Sequence, residues 1–286
     1  ATGRDRLDPG EGRKMYRRVG LGLALALLAA GCSSTGAPSK IDAAAAKAKP
    51  AAPAGYLAVA DLPNSLSLIP PPPAPGSAAQ ALDDAAAKAA LALSGGPRWL
   101  QAVTDADLSF PATAETFACA MDVRISEADT PHLSTLLRRT LFDAGRSPYP
   151  TKTKYQRARP FTVNGAPLCT PAFEAVLRKD GSYPSGHSAI GWAWALILTE
   201  VSPDHADAIL ARGRAFGQSR AVCNVHWTSD IEEGWTMGAA TFAKLQSSPE
   251  FRADVAAAQA EVAAARAKGL RPTRDCSKEA AQLAAG

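Results

Sequence analysis

A chain of 286 residues, 47% of them hydrophobic and 20% charged, has ordinary globular composition, neither disordered nor saturated with membrane spans. Its formal charge of +4 sits largely in residues 1–31: removing them takes away six basic and three acidic residues and leaves +1. With no block of five or more Lys/Arg, the chain lacks the footprint of a nucleic-acid binder. Ala is abundant, β-branched residues are sparse and aromatics make up only 6%, a balance that favours helix over sheet.

The N-terminus reads as an address. Met15 is followed by Tyr16-Arg17-Arg18 and then by an uncharged stretch from Val19 to Ala30. A basic start and a short apolar run fit a secretory signal, and the run is shorter than the roughly 20 residues that a bilayer span needs. Residues 1–14 are polar and precede Met15, which points to Met15 as the translation start. The run ends Leu28-Ala29-Ala30-Gly31-Cys32-Ser33, which resembles a bacterial lipobox, although Ala29 stands where Leu is commoner. The resemblance implies cleavage after residue 31, lipidation of Cys32, and sorting by Ser33 to the outer membrane, with the lipid as the chain's only membrane contact. Residues 32–54, rich in Ser, Ala, Lys, Pro and Gly, are expected to form a flexible tether.

The remainder, 55–286, is expected to be one all-α domain. The run Pro70-Pro71-Pro72-Pro73-Ala74-Pro75-Gly76 forbids helix and predicts an extended segment. Leu62, Leu66, Leu68 and Ile69 just before it suggest that this segment packs on the domain. Helices are predicted over 77–93, 130–144, 186–201, 204–218 (with Asp204 as its cap), 229–245 and 249–268. The segment 186–201 is apolar nearly all round, so it should be a central helix buried in a compact bundle.

Three short segments carry the chemistry: Lys152-Thr-Lys-Tyr-Gln-Arg-Ala-Arg159-Pro160, Pro184-Ser185-Gly186-His187 and Ser219-Arg220-Ala-Val-Cys-Asn-Val-His226-Trp-Thr-Ser-Asp230. Together they supply three cations, two histidines and a carboxylate. No metal-ligand spacing, Gly-rich nucleotide loop or Gly-x-Ser-x-Gly occurs, so neither a metal nor another cofactor is expected. Cations with His suit a tetrahedral oxyanion such as phosphate. Ser185-Gly186-His187 opens the apolar helix, whose amides favour an anion. His226 and Asp230 are four apart, so a helix starting there lets the carboxylate orient the imidazole. Lys154 and Arg157 read as solvated charges, His132 and His205 as surface residues, and Trp192, Trp194 and Trp227 as core.

The pattern Lys-x6-Arg-Pro, Pro-Ser-Gly-His, Ser-Arg-x5-His-x3-Asp matches at all eleven positions the signature of the type 2 phosphatidic acid phosphatase superfamily. The segments Leu68-Ile-Pro-Pro-Pro-Pro-Ala-Pro-Gly-Ser77, Gly181-Ser-Tyr-Pro-Ser-Gly-His187 and Gly191-Trp-Ala resemble the secreted class A bacterial non-specific acid phosphatases. This resemblance implies metal-independent hydrolysis of small phosphomonoesters with broad specificity and a mildly acidic optimum. His226 would be the nucleophile that forms a phosphohistidine, with Asp230 orienting it and His187 as general acid and base. Lys152, Arg159, Ser185, the Gly186 amide and Arg220 would hold the phosphoryl oxygens. The same scaffold binds vanadate in the vanadium haloperoxidases, but the proline-rich and Gly-Ser-Tyr flanks resemble the phosphatases. A phosphate-binding lipoprotein without catalysis is disfavoured by both histidines and the Asp. An integral lipid phosphatase is disfavoured because no mature segment reaches 18 apolar residues.

An exported chain with four cysteines besides Cys32 is expected to be disulfide-bonded, with three pairings open. Related phosphatases often carry Cys at positions 169 and 223, which implies Cys169–Cys223 and leaves Cys119–Cys276. The implied location is the bacterial periplasm, on the outer membrane; association into a homo-oligomer is left open.

Overall fold

The computed structural model describes residues 54–286; the expected leader, the Cys32 anchor and all but the last residue of the tether lie outside the described residues. No strand occurs among the described residues. Among the described residues, nine helices have seven or more residues: α1 (Ala78–Leu91), α2 (Pro97–Asp105), α3 (Pro131–Arg146), α4 (Tyr149–Tyr155), α5 (Gly186–Val201), α6 (Ala206–Val222), α7 (Thr228–Leu245), α8 (Pro249–Ala267) and α9 (Cys276–Leu283). The all-α bundle with a buried central helix is the observed architecture. Among the described residues no helix is long and apolar enough to cross a membrane.

The centre is α5. Ser185 caps it by accepting from the Ser188 N–H, and it stops at Ser202, where the following proline disfavours the helical conformation. Ala189, Ala193, Trp194, Ile197 and Leu198 are fully or almost fully enclosed by α3, α6, α7 and α8. Trp194 satisfies its buried indole N–H on the Leu137 carbonyl and the Thr140 hydroxyl of α3, both at 3.1 Å. Truncating a side chain so enclosed costs about 3–5 kcal/mol. α7 lies against α5 at backbone distance: a Cβ on Gly234 would stand 2.6 Å from the Ser185 carbonyl oxygen, and one on Gly238 2.6 Å from that of Ala189. The start of α5 is therefore pinned to the start of α7, the two places where the second and third motifs lie.

At the front of the domain the Tyr56 and Leu57 N–H groups donate to Asp143 of α3. Of the apolar residues before the proline run, Ile69 is buried, whereas Leu66 and Leu68 remain about half exposed. Their short helix, Ser65–Leu68, turns them outward. The run itself is held by Tyr183, whose hydroxyl donates to the Pro70 carbonyl at 2.8 Å. Disulfides join Cys169 to Cys223 and Cys119 to Cys276, the latter tying α9 to the body. Asp204 is not the cap of α6: it sits in a 3-10 turn, Pro203–His205, and the capping position falls to His205 without a side-chain bond. The proline fixes that turn and delays the helix.

Candidate active site

Local sequence explains how each motif reaches the site. α4 carries Lys152 and ends where Gln156 adopts the left-handed conformation (φ 42°), turning the chain back on itself. Pro160 then forces Arg159 into extended backbone (φ −79°, ψ 151°) and starts a new short helix. The loop before α5 passes so close to this turn that a Cβ on Gly181 would lie 3.0 Å from the Lys152 carbonyl oxygen. Past α6, Asn224 also turns left-handed (φ 60°); its amide donates to Asn164 Oδ1 and to the Ala166 and Pro167 carbonyls. With the Cys169–Cys223 bond, this fixes the segment that presents His226.

The structure brings Lys152, Arg159, His226 and Asp230 together and buries all four. Asp230, at the third position of α7, accepts the Trp227 N–H at 2.9 Å and faces His226 Nδ1 at 3.2 Å through the same oxygen, Oδ2. His226 Nε2 stands 3.0 Å from Arg159 Nη1. Arginine has only donors, and a carboxylate only accepts. One neutral tautomer satisfies both contacts: Nδ1 carries the proton and Nε2 keeps its lone pair. Burial, then the charges of Arg159, Lys152 and Arg220, push the His226 pKa well below 6.5, so the lone pair persists at neutral and mildly acidic pH.

Arg220 is fully enclosed and its Nε and Nη1 have no hydrogen-bond partner in the protein. Burial and the neighbouring Arg159 push its pKa down. Two buried donors left unpaired are costly unless a ligand accepts from them; an anion is the ligand that three converging cations select. Ser185 is completely buried, and its backbone N–H donates to the Asp230 carbonyl at 2.8 Å. Its Oγ accepts from the Ser188 N–H and hydroxyl, leaving its own proton to donate. Gly186 opens α5, and a Cβ there would meet only the Gly145 carbonyl, at 3.9 Å, so packing does not demand glycine at this position.

His187 donates Nε2–H to the Ala106 carbonyl at 3.1 Å and stacks on Phe216. Its pKa lies well below 6.5, through burial first and then the charges of Arg220, His226 and Arg159.

Three carboxylates and one arginine of the site carried no readable sequence signal or the wrong one. Arg157 is not a solvated charge; it pairs with Asp83 at 2.7 Å and Asp230 at 2.6 Å and is nine-tenths buried. Asp180 pairs with Arg159 at 3.0 Å and lies 3.6 Å from Lys152. Asp105 accepts from Ser219, the residue before Arg220, and pairs with Arg212 at 2.5 Å. Lys154 and His132 are exposed as expected, and Trp194 and Trp227 are buried.

Burial and Arg159 lower the Lys152 pKa to about 8, against the opposing pull of Asp180. A pH-dependent consequence follows for Asp180→Asn. Near pH 5, where Lys152 is charged, removing the competing carboxylate should tighten competitive inhibition by inorganic phosphate about 2- to 5-fold. Above about pH 8 the sign reverses, because Lys152 then loses its proton more readily. Inhibition constants measured across this range check it; a constant shift at all pH values would contradict it.

A sequence profile of the PAP2 superfamily matches residues 134–250, which include every motif residue of the site. An acid phosphatase of Zymomonas mobilis is 41% identical over 213 residues, covering 73% of this chain and 79% of that one. Non-specific acid phosphatases of Providencia stuartii and Salmonella typhimurium are each 40% identical, covering 73% and 70% of this chain and 84% and 80% of theirs. With about 40% identity over more than two thirds of both chains, the chain belongs to the PAP2 superfamily, as one of its acid phosphatases.

Proposed function

We propose that the enzyme hydrolyses small phosphomonoesters through a phosphohistidine on His226, without a metal, at a mildly acidic optimum. The observation that carries this reading is the His226 geometry: Nδ1–H on Asp230, and the Nε2 lone pair at 3.0 Å from Arg159 among the cations that would hold the phosphoryl group. In the first step Nε2 attacks phosphorus, the P–N bond forms, the P–O ester bond breaks, and the leaving oxygen takes a proton from His187. In the second, neutral His187 takes a proton from water, whose oxygen attacks phosphorus; the P–N bond breaks and phosphate is released. Lys152, Arg159, Arg220, the Ser185 hydroxyl and the Gly186 amide offset the charge that develops on the phosphoryl oxygens.

Both imidazoles are neutral in the free site. A bound phosphoryl dianion supplies the opposing charge that raises His187, whose Nε2 is committed to Ala106, leaving Nδ1 to exchange the proton. Activity requires His187 protonated and His226 neutral, which confines it between two apparent pKa values. The test is a phosphomonoester panel assayed after dialysis against EDTA and again with vanadate or inorganic phosphate. Full activity after dialysis, with strong inhibition by vanadate as a mimic of the transferring group, is expected. Activity lost on dialysis and restored by a divalent ion would overturn the metal-free reading. We also propose that the residues before 55 export the chain to the periplasm and anchor it through Cys32; the two disulfides support an oxidising compartment.

A further inference from the structure

Arg157 stands between the motif cations Lys152 and Arg159, yet its partners are carboxylates. Its Nη1 donates to Asp230 Oδ1 at 2.6 Å and to the Ser229 hydroxyl at 2.8 Å. Its Nη2 donates to Asp83 Oδ2 at 2.7 Å and to Gln80 Oε1 at 2.8 Å. Asp83, on α1, also accepts the Ser229 N–H and hydroxyl at 2.9 and 2.5 Å. The guanidinium lies 5.4 Å from the Trp227 ring and 5.9 Å from that of Tyr183. Side-chain exposure is 9% for Arg157, 4% for Asp83 and nil for Asp230. The two Asp230 oxygens thus have separate duties: Oδ2 holds His226 Nδ1 and the Trp227 N–H, and Oδ1 holds Arg157.

Burial pushes the Asp230 pKa up, and Arg157 is the largest opposing influence. The other charged or titratable groups acting around Asp230 are Lys152, Arg159, His226 and the Tyr183 hydroxyl, with Asp83 on the far side of Arg157. A protonated Asp230 would no longer specify the His226 tautomer or stabilise the positive charge that the ring acquires during attack. We propose that Arg157, anchored by Asp83, is a positioning residue that keeps Asp230 ionised and thereby holds His226 in its Nδ1-protonated, attacking form. This rests on His226 being the nucleophile.

The experiment compares Arg157→Met, Arg157→Lys and Asp83→Asn with wild type in kcat, KM and phosphate inhibition across pH. In Arg157→Met, kcat should fall about 10- to 100-fold. Its acid limb should move up by about 1 to 3 pH units, as expected when a buried carboxylate loses its opposite charge. KM and the phosphate inhibition constant should move less than about 2-fold, since Arg157 does not belong to the oxyanion set. Arg157→Lys should recover much of the low-pH activity, and Asp83→Asn should show a smaller shift in the same direction. A loss uniform in pH would overturn the proposal, as would KM and phosphate inhibition weakening at constant kcat. Should Arg157→Met fail to fold, an unshifted acid limb in both other variants overturns it. Wild type is assayed in parallel for an acid-labile phosphoenzyme: its absence would sink the nucleophile reading itself, whereas its presence with an unshifted limb sinks only the role of Arg157.

Discussion

His226→Ala is expected to lose at least about 10,000-fold in kcat on every phosphomonoester, because the group that carries the phosphoryl between the two half-reactions is gone. The loss should not depend on the leaving group, since no ester bond can be exchanged for P–N. Phosphate inhibition should survive, because Lys152, Arg159 and Arg220 remain, and in the variant Arg159 Nη1 no longer faces the Nε2 it meets at 3.0 Å. Added imidazole should restore part of the turnover by entering as an external nucleophile and leaving as phosphoimidazole. Steady-state kinetics with and without imidazole check this; turnover within tenfold of wild type would remove His226 from the centre of the mechanism.

His187→Ala should instead discriminate among substrates. An alkoxide leaves poorly without a proton, so an alkyl phosphate should lose the whole general-acid contribution, about 100- to 10,000-fold. A nitrophenolate leaves readily unprotonated, so the first step should suffer far less with nitrophenyl phosphate. The second step still lacks the base that activates water. Phosphoenzyme should therefore accumulate, seen as a burst of nitrophenolate followed by slow release. A burst that survives in His226→Ala and vanishes in His187→Ala would reverse the two roles.

The parts of this site that were legible in the sequence are those joined by short spacing. His226 and Asp230 are four apart at a helix start, and Ser185-Gly186-His187 opens a helix whose apolar character is plain. The bundle was legible for a related reason: α5 buries ten of its sixteen residues, and its pattern is apolar nearly all round. What escaped were pairings made across the chain. Arg157 and Asp83 are 74 residues apart, and an arginine flanked by exposed Lys154 and motif cations has the local look of a solvated charge. Asp180 meets Lys152 and Arg159 only because Gly181 lets its loop close on α4. Asp204 shows the converse failure: a good capping residue in the right place lost its role to the turn that Pro203 imposes.

The central claim is that phosphorus becomes bonded to His226. Wild-type enzyme mixed with labelled nitrophenyl phosphate, quenched within the first turnover into alkaline denaturant and mapped by peptide, tests it most directly. The account predicts label on the His226 peptide, stable to base, labile to acid and absent from His226→Ala. No label at any quench time, or acid-stable label on another residue such as Ser185, would contradict it.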